Sequence, residues 1–401
     1  MRRQAGVDPL RLVVRLVLAG LLIYYAASYV YVVSMYQNPW LGVTEALLML
    51  TGMLLLASLF LDLPTWLLEF MGLFTAAVWV TYIATAFAAA KPPVTYTDEE
   101  DMLQLAALAF LHGANPYTVK YDLSVPFGTP LLSGGEVNLY PYPALSFILA
   151  APFAAAGLTV PIAVVAFVGI SLLIAYLAAR GIGRDLVLIS YLVVPTLLQY
   201  AFFGVIDGLF YPFVVLAIVL IDNPLLVGLF MGLAASTSQL TWPIAFMLLI
   251  HYLTTPMNRG RRFANALRFL GVVVGVFLAV NGYFIAQNPV AYLHDVLFSA
   301  GQSLVPLGFG FIASFLFGAV NATYIETTLL TVLLVLILTV LQIYAELKDP
   351  VRARYLPFIL GPLAFFAFWR SLANYFMMAV PFSGTALALL LTRDMKRGGR
   401  P

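Results

Sequence analysis

Apolar residues come along this chain in runs of roughly twenty, the length a helix needs to cross a hydrocarbon layer about 30 Å thick. Runs at 16–35, 43–60 and 66–90 predict three crossing helices, with turns at Asn38-Pro39 and at Asp62 and Pro64. After Lys91 the pattern changes. The stretch from there to Tyr142 is too polar to lie unprotected in lipid and predicts a long loop. Within it, Thr97 and Glu100 have capping-box spacing, so the four acids Asp98, Glu99, Glu100 and Asp101 are expected to open a short helix. That helix runs to His112 and stops at Gly113, and Asn115-Pro116 turns the chain away. Residues 118–141, rich in Gly, Pro and Tyr, read as irregular loop.

Pro141-Tyr-Pro143 opens an apolar stretch, 144–157, that either crosses or lies at the outer surface. Arg180 and Arg184 decide for the surface helix, because cytoplasmic loops carry the excess of Lys and Arg. Further crossings follow at 160–180, 185–203, 209–221, 224–240, 243–255 and 268–286, then at 326–345, 355–369 and 375–392. The Gly-broken segment 303–320 reads as re-entrant or surface-lying. This is an all-α polytopic membrane protein of about twelve transmembrane helices with both termini cytoplasmic. All but Lys91, Lys120 and Arg370 of the 20 Lys and Arg then face the cytoplasm. Three parts follow: crossings over 1–90, an extracytoplasmic loop with surface helices over 91–158, and the remaining bundle over 159–401 with an outer segment near 288–325.

Composition adds exclusions. The chain is 63% hydrophobic and 9% charged, and its net charge of +2 carries no information on partners until charges are assigned to sides. Nothing suggests a nucleic-acid partner. With no cysteine and three scattered histidines, disulfides and thiolate sites are excluded, and neither a metal centre nor a cofactor is expected.

Four adjacent acids in so apolar a chain make the loop the likeliest chemical centre. Thr97-Asp98-Glu99 after an outward span, then Gly113-Ala-Asn-Pro-Tyr117, then Tyr140-Pro-Tyr-Pro143 opening an apolar helix, resemble the first external loop of GT-C glycosyltransferases. The likeness is to the small polyprenyl-phosphate-sugar-dependent enzymes related to polyprenol-phosphate mannosyltransferases. Gly204-Val-Ile-Asp207-Gly208 and Trp369-Arg370-Ser-Leu-Ala-Asn374-Tyr375, both on the outer side, agree with it. Gln239 and Thr241 stand where many relatives carry a lysine, and two extra crossings precede the module.

The resemblance implies sugar transfer from a polyprenyl (dolichyl-type) phosphate monosaccharide to a glycan or glycolipid hydroxyl at the outer face of the plasma membrane, inverting and without a metal. It makes Asp98 the general base, with Asp101 the alternate and Glu99 a positioning neighbour. Arg370, Asn374 and Gln239 would hold the donor phosphate. Asp207, Tyr140, Tyr142 and His294 would bind substrate. Each has a plainer reading. Acids favour a helix N-terminus through the macrodipole. Asp207 reads equally as a solvated cap, Arg370 as a snorkelling side chain, His294-Asp295 as an interfacial pair, and His112 as a helix-end residue. A transporter or lipid flippase, or a non-catalytic partner in a glycan-assembly complex, is the rival class. Transporters place ionisable groups near the midplane between internal repeats, whereas here the acids cluster in an outer loop and no repeat is visible.

Overall fold

The computed structural model describes residues 9–28, 39–61, 70, 97–123, 128–298, 303–308, 310–311 and 323–398. The crossing expected at 66–90 lies outside the described residues apart from Phe70, as does most of 303–320. The principal helices are α1 (Pro9–Ser28), α2 (Pro39–Ser58), α3 (Asp98–Leu111), α4 (Leu145–Ala155), α5 (Val160–Ala178), α6 (Ile182–Leu192), α7 (Pro195–Phe202) and α8 (Tyr211–Val219). They continue with α9 (Pro224–Ala235), α10 (Trp242–Thr254), α11 (Arg259–Gln287), α12 (Pro289–Phe298), α13 (Tyr324–Lys348), α14 (Pro357–Leu363) and α15 (Ala379–Gly398).

Helix dominates the described residues, and among them four helical stretches are long and apolar enough to cross a membrane: Val160–Ala178, Arg259–Gln287, Tyr324–Lys348 and Asn374–Arg393. Several expected crossings differ in form. The run at 185–203 is two helices, because Pro195 lacks an amide hydrogen and its ring clashes with the preceding turn, so α6 stops at Leu192 and α7 starts at the proline. The first helix starts at Pro9 rather than residue 16, taking Arg11 and Arg15 into its first turns. The crossing expected at 268–286 is a helix of 29 residues that begins at Arg259, where the Asn258 side chain accepts from the Gly260 amide.

The chain forms two compact units. Unit 1 comprises Met1–Lys91, Ala175–Thr196 and Gly308–Pro401; unit 2 comprises Pro92–Ile174 and Leu197–Leu307. In unit 1, α15 is largely enclosed and packs on α6 through small residues. A Cβ at Gly183 would stand 2.9 Å from the Ala388 carbonyl oxygen, so only glycine lets the two backbones come this close. The α13 helix opens on a complete capping box: the Thr323 hydroxyl accepts from the Glu326 amide at 3.3 Å, and the Glu326 carboxylate accepts from the Thr323 amide at 2.7 Å.

In unit 2, α9 packs along α11 in the same way, with Gly228 2.8 Å in virtual-Cβ terms from the Phe269 carbonyl. The α3 helix packs on α4. With 11 residues α4 is about 16 Å long, too short to cross. One of its sides, with Phe147, Ala150 and Ala151, is buried. The start of the 303–320 segment is extended, pairing antiparallel with the loop at Leu131 and Leu304. Leu132 donates its amide to Ser303 and Val305 donates to Pro130.

Candidate active site at the acid helix

The first turn of α3 carries Asp98, Glu99, Glu100 and Asp101, where acids complement the positive end of the helix dipole. Thr97 is the N-cap by backbone conformation, yet its side chain does not cap. Its hydroxyl donates instead to the Phe203 carbonyl at 2.6 Å, more than a hundred residues along the chain. The expected Thr97–Glu100 capping box is therefore not formed: the side chain is turned to this tertiary acceptor and makes no bond with the helix amides.

Two further contacts fix this turn on the segment 203–206. The Ile206 amide donates to Glu99 Oε2 at 3.3 Å. Gly204, with φ +69°, lies beneath Glu100, and a Cβ there would be 2.9 Å from the Glu100 Cβ and Cγ. Here glycine is required twice, for the left-handed backbone and for the close approach. The Thr97–Asp101 turn and the Gly204–Gly208 motif, remote in sequence, thus meet in one place. Asp207, buried at the start of a short 3₁₀ turn (Ile206–Phe210), is the residue after the amide that Glu99 accepts from.

The third element is the loop. The Thr129 amide donates to Asp98 Oδ2 at 2.7 Å, which fixes the carboxylate by one oxygen. Asp98 is half-buried, and Oδ1 makes no hydrogen bond among the described residues. A carboxylate anchored at one oxygen and open at the other is placed to accept a proton. Glu100 is different in kind: burial, and then its neighbour Asp101, raise its pKa above the ordinary carboxylate value.

The far end of α3 is braced by an aromatic cluster. Phe110, Tyr117, Tyr140, Phe147 and Phe284 pack mostly edge to face at centroid separations of 5.1–6.2 Å, a geometry worth about 0.5–1.5 kcal/mol per pair beyond burial. Tyr117 donates to the Tyr142 carbonyl at 2.8 Å, and Tyr140 pairs with Ser146 at 2.7 Å. Burial holds both phenols well above their usual pKa, so they stay neutral donors. The Asn-Pro-Tyr and Tyr-Pro-Tyr-Pro segments are thus the joint that docks the loop to the helices. Tyr140, fully enclosed, offers no surface to a sugar; Tyr142 is half-buried beside it.

Gln239 is also committed elsewhere. Its amide nitrogen donates to the carbonyls of Pro141 and of Val296, the latter at 2.7 Å, so neither hydrogen is left for a phosphate. Asn281, which the sequence reading passed over, is the hub of the same joint. Its Oδ1 accepts from the Ala144 amide at 2.8 Å and from the Tyr292 hydroxyl at 2.9 Å, and its Nδ2 donates to Phe277 at 2.9 Å. An asparagine inside an otherwise apolar crossing helix was the available signal. His294, exposed, pairs through Nδ1 with the buried Asp295 at 2.9 Å. Burial raises the Asp295 pKa and the bond to His294 opposes it. His112 closes α3, with Nδ1 2.7 Å from the Leu108 carbonyl.

Arg370 and Asn374 belong to unit 1. Arg370 is 6% exposed, which is incompatible with a side chain snorkelling to headgroups; a guanidinium so placed needs acceptors close by. Asn374, also buried, opens the short helix Asn374–Met377. Among the described residues no three His, Cys, Asp or Glu side chains converge as metal ligands.

Comparison with protein-family models, curated proteins and solved structures finds no match to this chain. The reading of the site therefore rests on its own chemistry.

Proposed function

We propose that the protein is a membrane glycosyltransferase that moves a sugar from a polyprenyl phosphate monosaccharide to a hydroxyl of a glycan or glycolipid acceptor, with inversion. The observation that carries this reading is Asp98: a carboxylate fixed by the Thr129 amide through one oxygen, with the other unbonded among the described residues, at the start of a helix docked on the Phe203–Ile206 turn. In the proposed step the acceptor oxygen bonds to the anomeric carbon as the bond from that carbon to the phosphate oxygen breaks. The hydroxyl proton passes to Asp98, and the bonding pair leaves with the polyprenyl phosphate.

Glu99 and Asp101 flank the base. Glu99 holds the turn through Ile206, which fits a positioning role. Arg370, with Asn374, is the proposed counter-charge for the lipid phosphate, as the resemblance implies. Asp207 and Tyr142 are assigned to the substrate side, and His294 to the acceptor side. The proposed topology has about twelve crossings, cytoplasmic termini and the acids at the outer face of the plasma membrane. No cofactor enters this route.

The test is incubation of the purified protein with a synthetic polyprenyl phosphate sugar and candidate acceptor glycolipids. A new covalent glycoside supports the proposal. A transporter, a flippase or a non-catalytic partner makes none.

A further inference from the structure

The α12 helix has its polarity reversed for a water-facing helix. Its enclosed side carries Tyr292, Asp295 and Val296, and its open side carries Val290 at 77% exposure, Leu293 at 53% and Leu297 at 48%. At 100° per residue these three lie within an arc of about 60°, with His294 at its edge. Three adjacent exposed aliphatic side chains on a ten-residue helix are costly in water and call for an apolar cover.

The chain itself indicates the cover. The α11 helix, 29 residues long and apolar enough to cross a membrane, presents Val274 and Leu278 together on one exposed side, and α12 follows it after the single residue Asn288. Pro289 starts α12 with a fixed φ, the Asn288 side chain accepts from the Ala291 amide, and Tyr292 is tied back to Asn281 of α11. The exposed apolar surface of α11 is thus followed, one residue on, by that of α12, with the two helices tied together. We infer that α12 is an in-plane membrane-surface helix, with Val290, Leu293 and Leu297 seated in the acyl boundary of the leaflet that receives the C-terminal end of α11. This rests on α11 crossing the membrane and not on the chemistry at Asp98.

The chain lacks cysteine, so single cysteines report cleanly. Leu293→Cys, Leu278→Cys and Ser133→Cys are labelled with an environment-sensitive fluorophore and the full-length protein is reconstituted in phosphatidylcholine vesicles. Acyl-brominated lipid is expected to remove about half or more of the emission at 293 and 278 and little at 133, with aqueous iodide giving the converse. Iodide quenching at 293 without bromolipid quenching, while 278 stays in lipid, overturns the surface helix. So does protection of 293 from both quenchers together with cross-linking between copies, which assigns the face to a protein neighbour. Loss of bromolipid quenching at 278 as well removes the crossing on which the inference rests.

Discussion

Asn281 gives the sharpest stability test, because its three hydrogen bonds can be counted and both groups donating to it are buried. In Asn281→Leu the Ala144 amide and the Tyr292 hydroxyl lose their acceptor in a dry joint. Each orphaned buried donor costs about 1–3 kcal/mol, so the loss is about 2–6 kcal/mol. Leucine's better helix propensity returns a few tenths. Tyr292→Phe alone removes one donor and is expected to cost about 1 kcal/mol. Combined with Asn281→Leu it costs nothing more, since that hydroxyl is already unpaired, and it removes an orphan. The double variant should therefore be less destabilised than the sum of the singles by about 2–4 kcal/mol. Equilibrium unfolding in mixed micelles, followed by circular dichroism, measures all three. Additivity within about 0.5 kcal/mol, or an Asn281→Leu loss below that, would refute the network as the joint that holds α4 to α11.

Arg370→Gln should weaken donor use by about 1.5–3 kcal/mol, the value of a charge-assisted hydrogen bond, and Arg370→Lys should recover part of it; unchanged donor affinity in folded Arg370→Gln removes the phosphate role. Glu100 has a raised folded pKa, so its ionised form disfavours the fold: the penalty is absent below the unfolded carboxylate value near 4 and grows as pH rises toward the folded value. Glu100→Gln should therefore raise the melting temperature at neutral pH and leave it unchanged in acid, and a gain independent of pH would contradict the burial argument. Ser133→Cys should react with an impermeant thiol reagent on intact cells and Gly260→Cys should not; the reverse pattern inverts the topology.

The legible parts of the fold were those set by composition and by local breakers. Hydropathy gave the long apolar helices, and the short acid helix ended at Gly113 as the left-handed φ of +79° there demands. Helix breaks were less visible. Pro195 and Pro357 each stand first in a helix, a position where the missing amide costs nothing, whereas the apolar runs at 185–203 and 355–369 pass through them. Two Thr-x-x-Glu signatures make the limit plain. At Thr323 the hydroxyl stays within its own turn, donating to the Glu326 carboxylate and accepting from the Glu326 amide, and the capping box closes. At Thr97 the Phe203 carbonyl takes it, and no local rule contains that distant acceptor. The same holds for Tyr140 and Gln239, whose polar atoms are committed to Ser146, Pro141 and Val296, and for Asp98, whose anchor at Thr129 is set by the path of the loop.

The most direct measurement is turnover of Asp98→Asn with a synthetic polyprenyl phosphate sugar, beside Glu99→Gln and Asp101→Asn. Asparagine keeps the acceptor oxygen for the Thr129 amide and suits a helix N-terminus, so the fold should survive with at most about 0.3–1 kcal/mol of dipole energy lost. If Asp98 takes the acceptor's proton, turnover falls by about 10²- to 10⁴-fold while donor binding is retained, and neither neighbour reproduces that split. A folded Asp98→Asn protein that transfers sugar at the parent rate contradicts the account.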